Sequence, residues 1–198
     1  MMTTYRLSQA REQQQKHERR AAFEMLLTRQ QEGGKIIYLD ETIFKPYSVE
    51  GMAWAHKWQN QDLRKHGLKL RTLAAIVCIS MEAGVELVYT KPFSIKCEDL
   101  CEAIKLLERD NKLKPVTIFM DNLRSHHSRV LSDCMGALNF KHLFNAAYSS
   151  EYHCIERVFA KAKGYYKRAM IEADFNLSDQ KHYELVENSL KSVSRETI

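Results

Sequence analysis

Pro115-Val-Thr-Ile-Phe-Met-Asp-Asn-Leu-Arg-Ser-His126 is the stretch on which the reading of this chain turns. Val116 to Met120 are apolar and rich in strand formers, a short unbroken run that suits a strand buried on both faces. The run ends on Asp121, with Asn122 next and His126 five residues past the acid. An acid at the C-terminal edge of a buried strand is where an α/β protein exposes reactive groups to ligand. Asp-Asn also makes an ordinary turn after a strand, so this stretch alone does not decide the chemistry.

Two other places change the balance. Lys35-Ile-Ile-Tyr-Leu-Asp-Glu-Thr-Ile-Phe44 is a second buried-type strand with an acid, Asp40, in its middle. Asn145-Ala-Ala-Tyr-Ser-Ser-Glu-Tyr-His-Cys-Ile-Glu-Arg157 leads into a strongly periodic helix with Glu156 in its first turns. Three carboxylates on two strands and a helix could converge on one point. Such a cluster repels itself unless cations neutralise it, and hard oxygen ligands favour Mg2+ or Mn2+.

In this order, the three segments resemble the catalytic domain of mariner-type transposases, a branch of the DDE transposase and integrase superfamily. The family's Asp-Glu pair and later Trp are matched by Asp40-Glu41 and Trp54. Its Asp-Asn and following His are matched by Asp121, Asn122 and His126. Its third motif, Tyr-Ser-Pro-Glu-Leu-Asn-Pro-Ile-Glu, stands here as Tyr148-Ser149-Ser150-Glu151-Tyr152-His153-Cys154-Ile155-Glu156, with Phe159 and Lys163 beyond. Thirty-four residues separate Asp121 from Glu156, the spacing of one large branch of that family. Both prolines of the third motif are replaced, by Ser150 and Cys154, and its Asn is His153; those residues shape the loop before the helix.

The resemblance covers roughly residues 35 to 170 and implies an α/β, ribonuclease-H-like fold: a five-stranded mixed sheet, its first three strands antiparallel, flanked by helices. It implies a Mg-dependent transposase or endonuclease in which Asp40, Asp121 and Glu156 are catalytic and hold two ions, Mg2+ or Mn2+. Those ions would lie about 4 Å apart, bridged by Asp40, and clamp a scissile phosphate for hydrolysis and then strand transfer at transposon ends. Glu41 points to the opposite side of its strand and reads as a supporting residue, as does Asn122. His126 either orients the substrate or caps its helix. Lys161, Lys163, Lys167 and Arg168 are candidate phosphate contacts on double-stranded DNA, although such a run is commonly a solvated helix face. Lys163 and Lys167 follow Glu156 by seven and eleven positions and share its side of the helix.

Size and composition agree with this reading without requiring it. A chain of 198 residues fits one sizeable domain with an appendage, expected as a helical extension over 1–34 and a catalytic domain with a C-terminal helix over 35–198. A net charge of +5 favours an anionic partner without naming it. No apolar run reaches the length of a membrane span, and no signal-peptide stretch opens the chain, so an intracellular protein is expected, nuclear if the source is eukaryotic. Five cysteines without a CxxC pair predict reduced thiols and no structural zinc, with Cys97 and Cys101 packed in the apolar face of a helix.

Along the chain, residues 1 to about 32 are helix-prone and polar, with a late apolar cluster at Phe23, Met25, Leu26 and Leu27. Gly33-Gly34 reads as a C-cap and hinge. Residues 45 to 70, with Trp54, His56 and Trp58, make a long connection that in the family reaches a second protomer or DNA; two tryptophans capping the core is the plainer reading. Leu70 to Ser80 and Val85 to Thr90 predict a hairpin. Ser94 predicts the N-cap of a helix buried through Cys97, Leu100, Cys101, Ile104 and Leu107. After Asp121 comes a helix with Val130, Leu131, Cys134, Met135 and Leu138 inward, then a fifth strand over Phe140 to Ala147. The helix of Glu156 buries Ile155, Val158, Phe159, Ala162 and Tyr165 or Tyr166, and a last helix starts near Ser178 and packs through Tyr183, Val186, Leu190 and Val193.

The N-terminal stretch is too short for the family's DNA-recognition region, so either the sequence begins after that region or a separate recognition subunit supplies it; a homodimer or larger assembly on DNA is expected, with no membrane. A second reading is a domesticated transposase relic that binds DNA or scaffolds an assembly without catalysis. A third is a ribonuclease H or structure-specific nuclease on the same fold.

Overall fold

The computed structural model describes residues 9–46, 70–110, 115–146, 149, 153–173 and 177–194. Trp54, His56 and Trp58, and Tyr148 and Ser150 to Tyr152 of the third motif, lie outside the described residues. In chain order the elements are α1 (Gln9–Gln31), β1 (Lys35–Phe44), β2 (Leu73–Ser80), β3 (Gly84–Pro92), α2 (Cys97–Asp110), β4 (Val116–Met120), α3 (Arg129–Ala137), β5 (Lys141–Phe144), α4 (Ile155–Glu172) and α5 (Asp179–Lys191). The sheet runs β3-β2-β1-β4-β5, with β2 and β3 antiparallel and β4 parallel to both β1 and β5. This is the mixed five-stranded sheet that the sequence predicts. No described helix is long and apolar enough to cross a membrane.

The chain divides into two compact units, Met1–Asp40 with Cys97–Glu156, and Glu41–Lys96 with Arg157–Ile198. In the first, β4 is buried at all five positions, as its unbroken β-branched and apolar run requires. α2 buries Leu100, Cys101, Ala103, Ile104 and Leu107, one helical stripe. It begins at Cys97, so Ser94 is not its N-cap. Phe93 takes a left-handed turn (φ 71) as the chain leaves β3, and the next three residues are used in reaching the helix. α3 buries Leu131 and Met135, with Ser128 capping its start by accepting a hydrogen bond from Leu131 N at 3.3 Å. Val130 is 57% exposed, against expectation, because the buried face of α3 is centred on Leu131 and Met135 and Val130 lies to one side of it. β5 is shorter than predicted. Asn139 (φ 56) turns the chain immediately before Phe140, and at the other end the Asn145 side chain donates to Ser149 O at 2.7 Å, closing a local turn.

α1 lies against β5, and Arg19 Nε donates to Ser149 Oγ at 2.8 Å. Its half-buried positions are Gln15, Arg19, Ala22, Leu26 and Arg29, a three-four repeat. Phe23, Met25 and Leu27 of the apolar cluster point away and are exposed; only Leu26 falls on the docking stripe. The helix stops in a Schellman motif: Gly34 N–H bonds Arg29 O and Gly33 N–H bonds Gln30 O, both at 3.1 Å, with Gly33 at φ 76. Gly34 is needed for a different reason. A Cβ there would stand 3.0 Å from Arg29 O and 3.5 Å from Pro115 O, just where Lys35 N starts the β1–β4 ladder on Pro115 O.

In the second unit β2 is buried at all eight positions, paired with β3 from Leu73↔Pro92 to Ser80↔Gly84. α4 buries Val158, Phe159, Ala162, Tyr166 and Met170; the two open choices for its last aromatic resolve to Tyr166, with Tyr165 half-exposed. The Tyr166 ring meets Phe44 edge-on at 5.1 Å, and its hydroxyl is 2.8 Å from His182 Nε2. Burial lowers the His182 pKa, so this imidazole is held neutral. α5 is capped by Ser178, buries Val186 and Leu190, and is tied to β3 by Thr90 Oγ1 donating to Glu187 at 3.1 Å.

The Schellman glycine gives a direct test. Gly33→Ala forces a Cβ into the left-handed region and is expected to cost about 1 kcal/mol, lowering Tm by roughly 2–4 °C in a thermal melt. Gly33→Asn, which tolerates that backbone, is expected to recover most of the loss.

Candidate active site

The geometry around the predicted acids starts from strand pairing. Lys35, Ile36, Ile37 and Tyr38 of β1 lie in parallel register with Val116, Thr117, Ile118 and Phe119 of β4. The pairing ends at Tyr38 and Phe119, and Asp40 and Asp121 each follow two residues further along their segments. Strand alternation puts both acids on the face that carries Tyr38 and Phe119, whose rings meet edge-on at 5.6 Å. His153, which precedes α4, packs against both: its ring lies 5.9 Å from Tyr38 and 5.4 Å from Phe119. The helix starts from the same residue, since Glu156 N–H donates to His153 O at 3.1 Å. One aromatic trio therefore binds together three segments, and two or three residues past each ring comes Asp40, Asp121 or Glu156.

The three acids differ in setting. Asp40 is half-buried, the Asp121 side chain is 35% exposed, and Glu156 is exposed on the first turn of α4. Among the described residues, no group of three His, Cys, Asp or Glu side chains is assembled that could hold a metal ion. The donor chemistry nevertheless suits a hard divalent cation. Oδ1 of Asp121 is buried and makes no well-aligned hydrogen bond, its near polar neighbour being Nδ1 of His126 at 2.7 Å, and a carboxylate oxygen is a hard ligand of the kind such a cation takes.

His126 is fully buried and acts on Asp121. Its Nδ1 is 3.2 Å from the Asp121 carbonyl oxygen and 2.7 Å from Oδ1. A carbonyl can only accept, so Nδ1 carries the proton and the tautomer is fixed. The contact is with Asp121, a role the sequence reading did not give His126. Asn122 is exposed, and its Oδ1 is hydrogen-bonded to Nε2 of His127, whose ring lies 4.1 Å from that of Phe144 on β5. Glu41 belongs to the other side of β1, where its carboxylate, after burial and Glu86, helps keep the Cys78 thiol protonated.

Lys161, Lys167 and Arg168 are exposed on α4 and Lys163 is half-buried; the Arg168 guanidinium lies 5.1 Å from the centre of the Tyr165 ring. By helical period Lys163 and Lys167 form one row and Lys161 and Arg168 another, well round the helix. Sequence reasoning missed three contributors here. Tyr38 looked like one more strand aromatic, His127 was hidden beside His126, and His153 read only as a departure from a motif. The sequence signal available for the last two was an imidazole on either side of a buried strand end.

Burial lowers the His153 pKa to about 4, overcoming the opposing pull of Asp121; the same burial, with Cys154 next, raises that of Tyr38 to about 12. Neither ring nitrogen of His153 makes a hydrogen bond. The unfolded imidazole titrates near 6.5, so its contribution is intact above that pH and is lost as pH falls toward 4. Thermal melts at pH 7.5 and pH 5 are expected to reveal about 2 kcal/mol of this loss, and His153→Phe should reduce the difference between the two pH values.

Residues 35–178 match the DDE superfamily endonuclease family. Among solved structures, the Mos1 transposase catalytic domain with raltegravir and Mg superposes with a TM-score of 0.62 at 18% identity, covering 98% of this chain and 88% of that one. The Mos1 catalytic domain in another crystal structure gives a TM-score of 0.57 at 14% identity, with 96% and 93% covered. The Mos1 mariner paired-end complex with Mn gives 0.58 at 16% identity; this chain covers 62% of that protein's chain and 96% of its own length is covered. A search of curated proteins finds no match. At these identities the structural likeness establishes the ribonuclease-H-like fold, and the sequence match over residues 35–178 establishes the family: the chain belongs to the DDE superfamily endonucleases.

Proposed function

We propose that this chain is a DNA transposase catalytic domain that cuts a phosphodiester bond at a transposon end and joins the freed strand to target DNA. The observation that supports the reading is the Tyr38–Phe119–His153 trio, which packs together the three segments that carry Asp40, Asp121 and Glu156 two or three residues further on. Asp40, Asp121 and Glu156 would hold two divalent cations, Mg2+ or Mn2+. When bound, such ions lower the pKa of water or a 3′-hydroxyl and stabilise the leaving oxygen. The solved Mos1 complexes with Mg and with Mn, and with paired transposon ends, support the choice of ion and of DNA by analogy.

The chain's own residues supply position and exclusion. His126 fixes the backbone and carboxylate of Asp121 through one protonated nitrogen, so the acid keeps its aim when the opposite strand charge approaches. Asp40 is held on the half-buried face of β1, a strand paired in the interior of the sheet. Glu156 is exposed on a helix surface, where rotamers exchange rapidly, so its carboxylate can swing toward the other two when a cation draws it. Lys161, Lys163, Lys167 and Arg168 would grip phosphates without reading sequence. A homodimer or larger assembly on DNA, with recognition supplied by a separate subunit, completes this proposal.

Asp121→Asn keeps shape and removes the charge. It is expected to abolish Mg2+-dependent cleavage of a transposon-end duplex and to weaken Mn2+ binding read by electron paramagnetic resonance, with an unchanged melting curve. Cleavage at the wild-type rate would refute the assignment. Replacing His126 by Ala should cost roughly 10–100-fold in cation affinity, the usual scale for a residue that orients a ligand. DNA affinity should fall steeply with salt, and Lys163→Gln with Lys167→Gln should reduce the log–log slope by about 2; a slope unchanged from wild type would remove these lysines from the interface.

A further inference from the structure

Five cysteines have no part in the proposed chemistry, and three of them meet between α2 and α3. Cys97 and Cys101 lie one turn apart on α2, and Cys134 is on α3. Cys134 Sγ is 3.8 Å from the Cys101 carbonyl oxygen, and Cys101 Sγ is 3.9 Å from Val130 O at the start of α3. Each thiol thus reaches across to the other helix. The Cys101 and Cys134 thiols also interact with each other, with Cys97 adding to the group, while Cys97 Sγ is 2.9 Å from Ser128 Oγ. The pair opens on a cleft of about 490 Å3 lined by Glu98, Cys101, Glu102, Val130 and Cys134, with Lys105 at its edge. Cys101 is 8% exposed and Cys134 is half-buried, so a small solute in the cleft meets Cys134 first.

We infer that Cys134 and Cys101 form a reversible redox pair, in which a hydroperoxide entering the α2–α3 cleft oxidises Cys134 and Cys101 resolves it as a disulfide. The Cys134 thiolate attacks the peroxide oxygen, the O–O bond breaks, and sulfenic acid and one water result for hydrogen peroxide. The Cys101 sulfur then attacks the Cys134 sulfur; the S–O bond breaks, and the departing hydroxyl leaves as water with the Cys101 proton. Two thiols lose two electrons and two protons, and the peroxide is reduced to two waters. The division of roles follows from burial, which raises the Cys101 pKa to about 12 and makes it a poor first nucleophile but a shielded second one.

The bond would close a loop from residue 101 to residue 134 that contains all of β4, Asp121 and His126. A cross-link over that span restricts the unfolded chain and locks α2 to α3. Its reversal requires only a dithiol. This inference concerns the thiols alone and stands or falls separately from the reading of the acids.

The test is to treat the full chain with hydrogen peroxide at neutral pH and map peptides without reduction. The expected result is a Cys101–Cys134 linked peptide two hydrogens lighter than its parts, a Tm higher by roughly 5–10 °C, and return of both to the starting values with dithiothreitol. Cys97→Ser should leave all three observations unchanged. Cys101→Ser should leave Cys134 as a sulfenic acid trapped by dimedone, and this variant reports even if Cys134→Ser does not fold. Cross-linking through Cys97, or oxidation of Cys134 to sulfinic acid in the wild-type chain with no cross-link, would overturn the assignment.

Discussion

The parallel pairing of β1 with β4 is the constraint from which the rest of the site follows. A parallel ladder has a single direction, so matching Lys35 to Val116 at one end decides what meets at the other. A slip of one residue would turn every side chain of β4 to the other face of the sheet relative to β1. The ladder is anchored where it begins: Lys35 N bonds Pro115 O at 2.8 Å, and Gly34 leaves no side chain between the end of α1 and that contact. Asn145 N continues the pattern at the far end by donating to Met120 O at 2.8 Å, so β5 fixes the end of β4 just before the acid.

Much of this architecture is legible in the residues. A buried parallel strand must be apolar on both faces, and Val116–Met120 is; a tight hairpin needs a residue that tolerates positive φ, and Gly84 (φ 81) supplies it where β3 leaves the turn from β2. The stripes of α2, α4 and α5 were readable because a 3.6-residue period leaves few alternative ways to bury a helix. The misreadings share a cause. Ser94, Val130 and the ends of β5 are boundary positions, where one residue of offset changes a role and periodicity is silent. Phe23, Met25 and Leu27 misled for a different reason: hydrophobicity suggested a docking face, whereas the half-buried stripe of α1 uses Arg19 and Ala22 and spends a guanidinium on Ser149.

The candidate acids can be picked out in the sequence, whereas the contacts around them cannot. Asp40, Asp121 and Glu156 stand out because charge at the end of an apolar run is costly and so informative. The rings that unite their segments are ordinary core residues in one dimension. Only pairing shows that Tyr38, Phe119 and His153 touch, and only burial shows that His153 is neutral. His126 was visible as a motif residue, but a spacing of five cannot say whether the ring turns toward the acid or the helix; the 2.7 Å approach to Oδ1 decides it.

His153 also bears on how α4 begins without the family's prolines. A proline near the start of a helix presets φ and lowers the entropy lost in forming the first turn. Cys154 and Ser150 offer no such preset here. What replaces it is tertiary: a ring that is 3% exposed, packed on two aromatics from neighbouring strands, with its carbonyl receiving the first turn's Glu156 N–H. The helix start is thereby held by packing, which binds its position to that of β1 and β4. A proline would have stiffened the loop locally without choosing where it sits. An aromatic contact does both at once, at the cost of leaving two ring nitrogens without hydrogen bonds in the core. That cost falls next to Asp121, where burial lowers the imidazole's pKa and so keeps a positive charge out of the space between the acids.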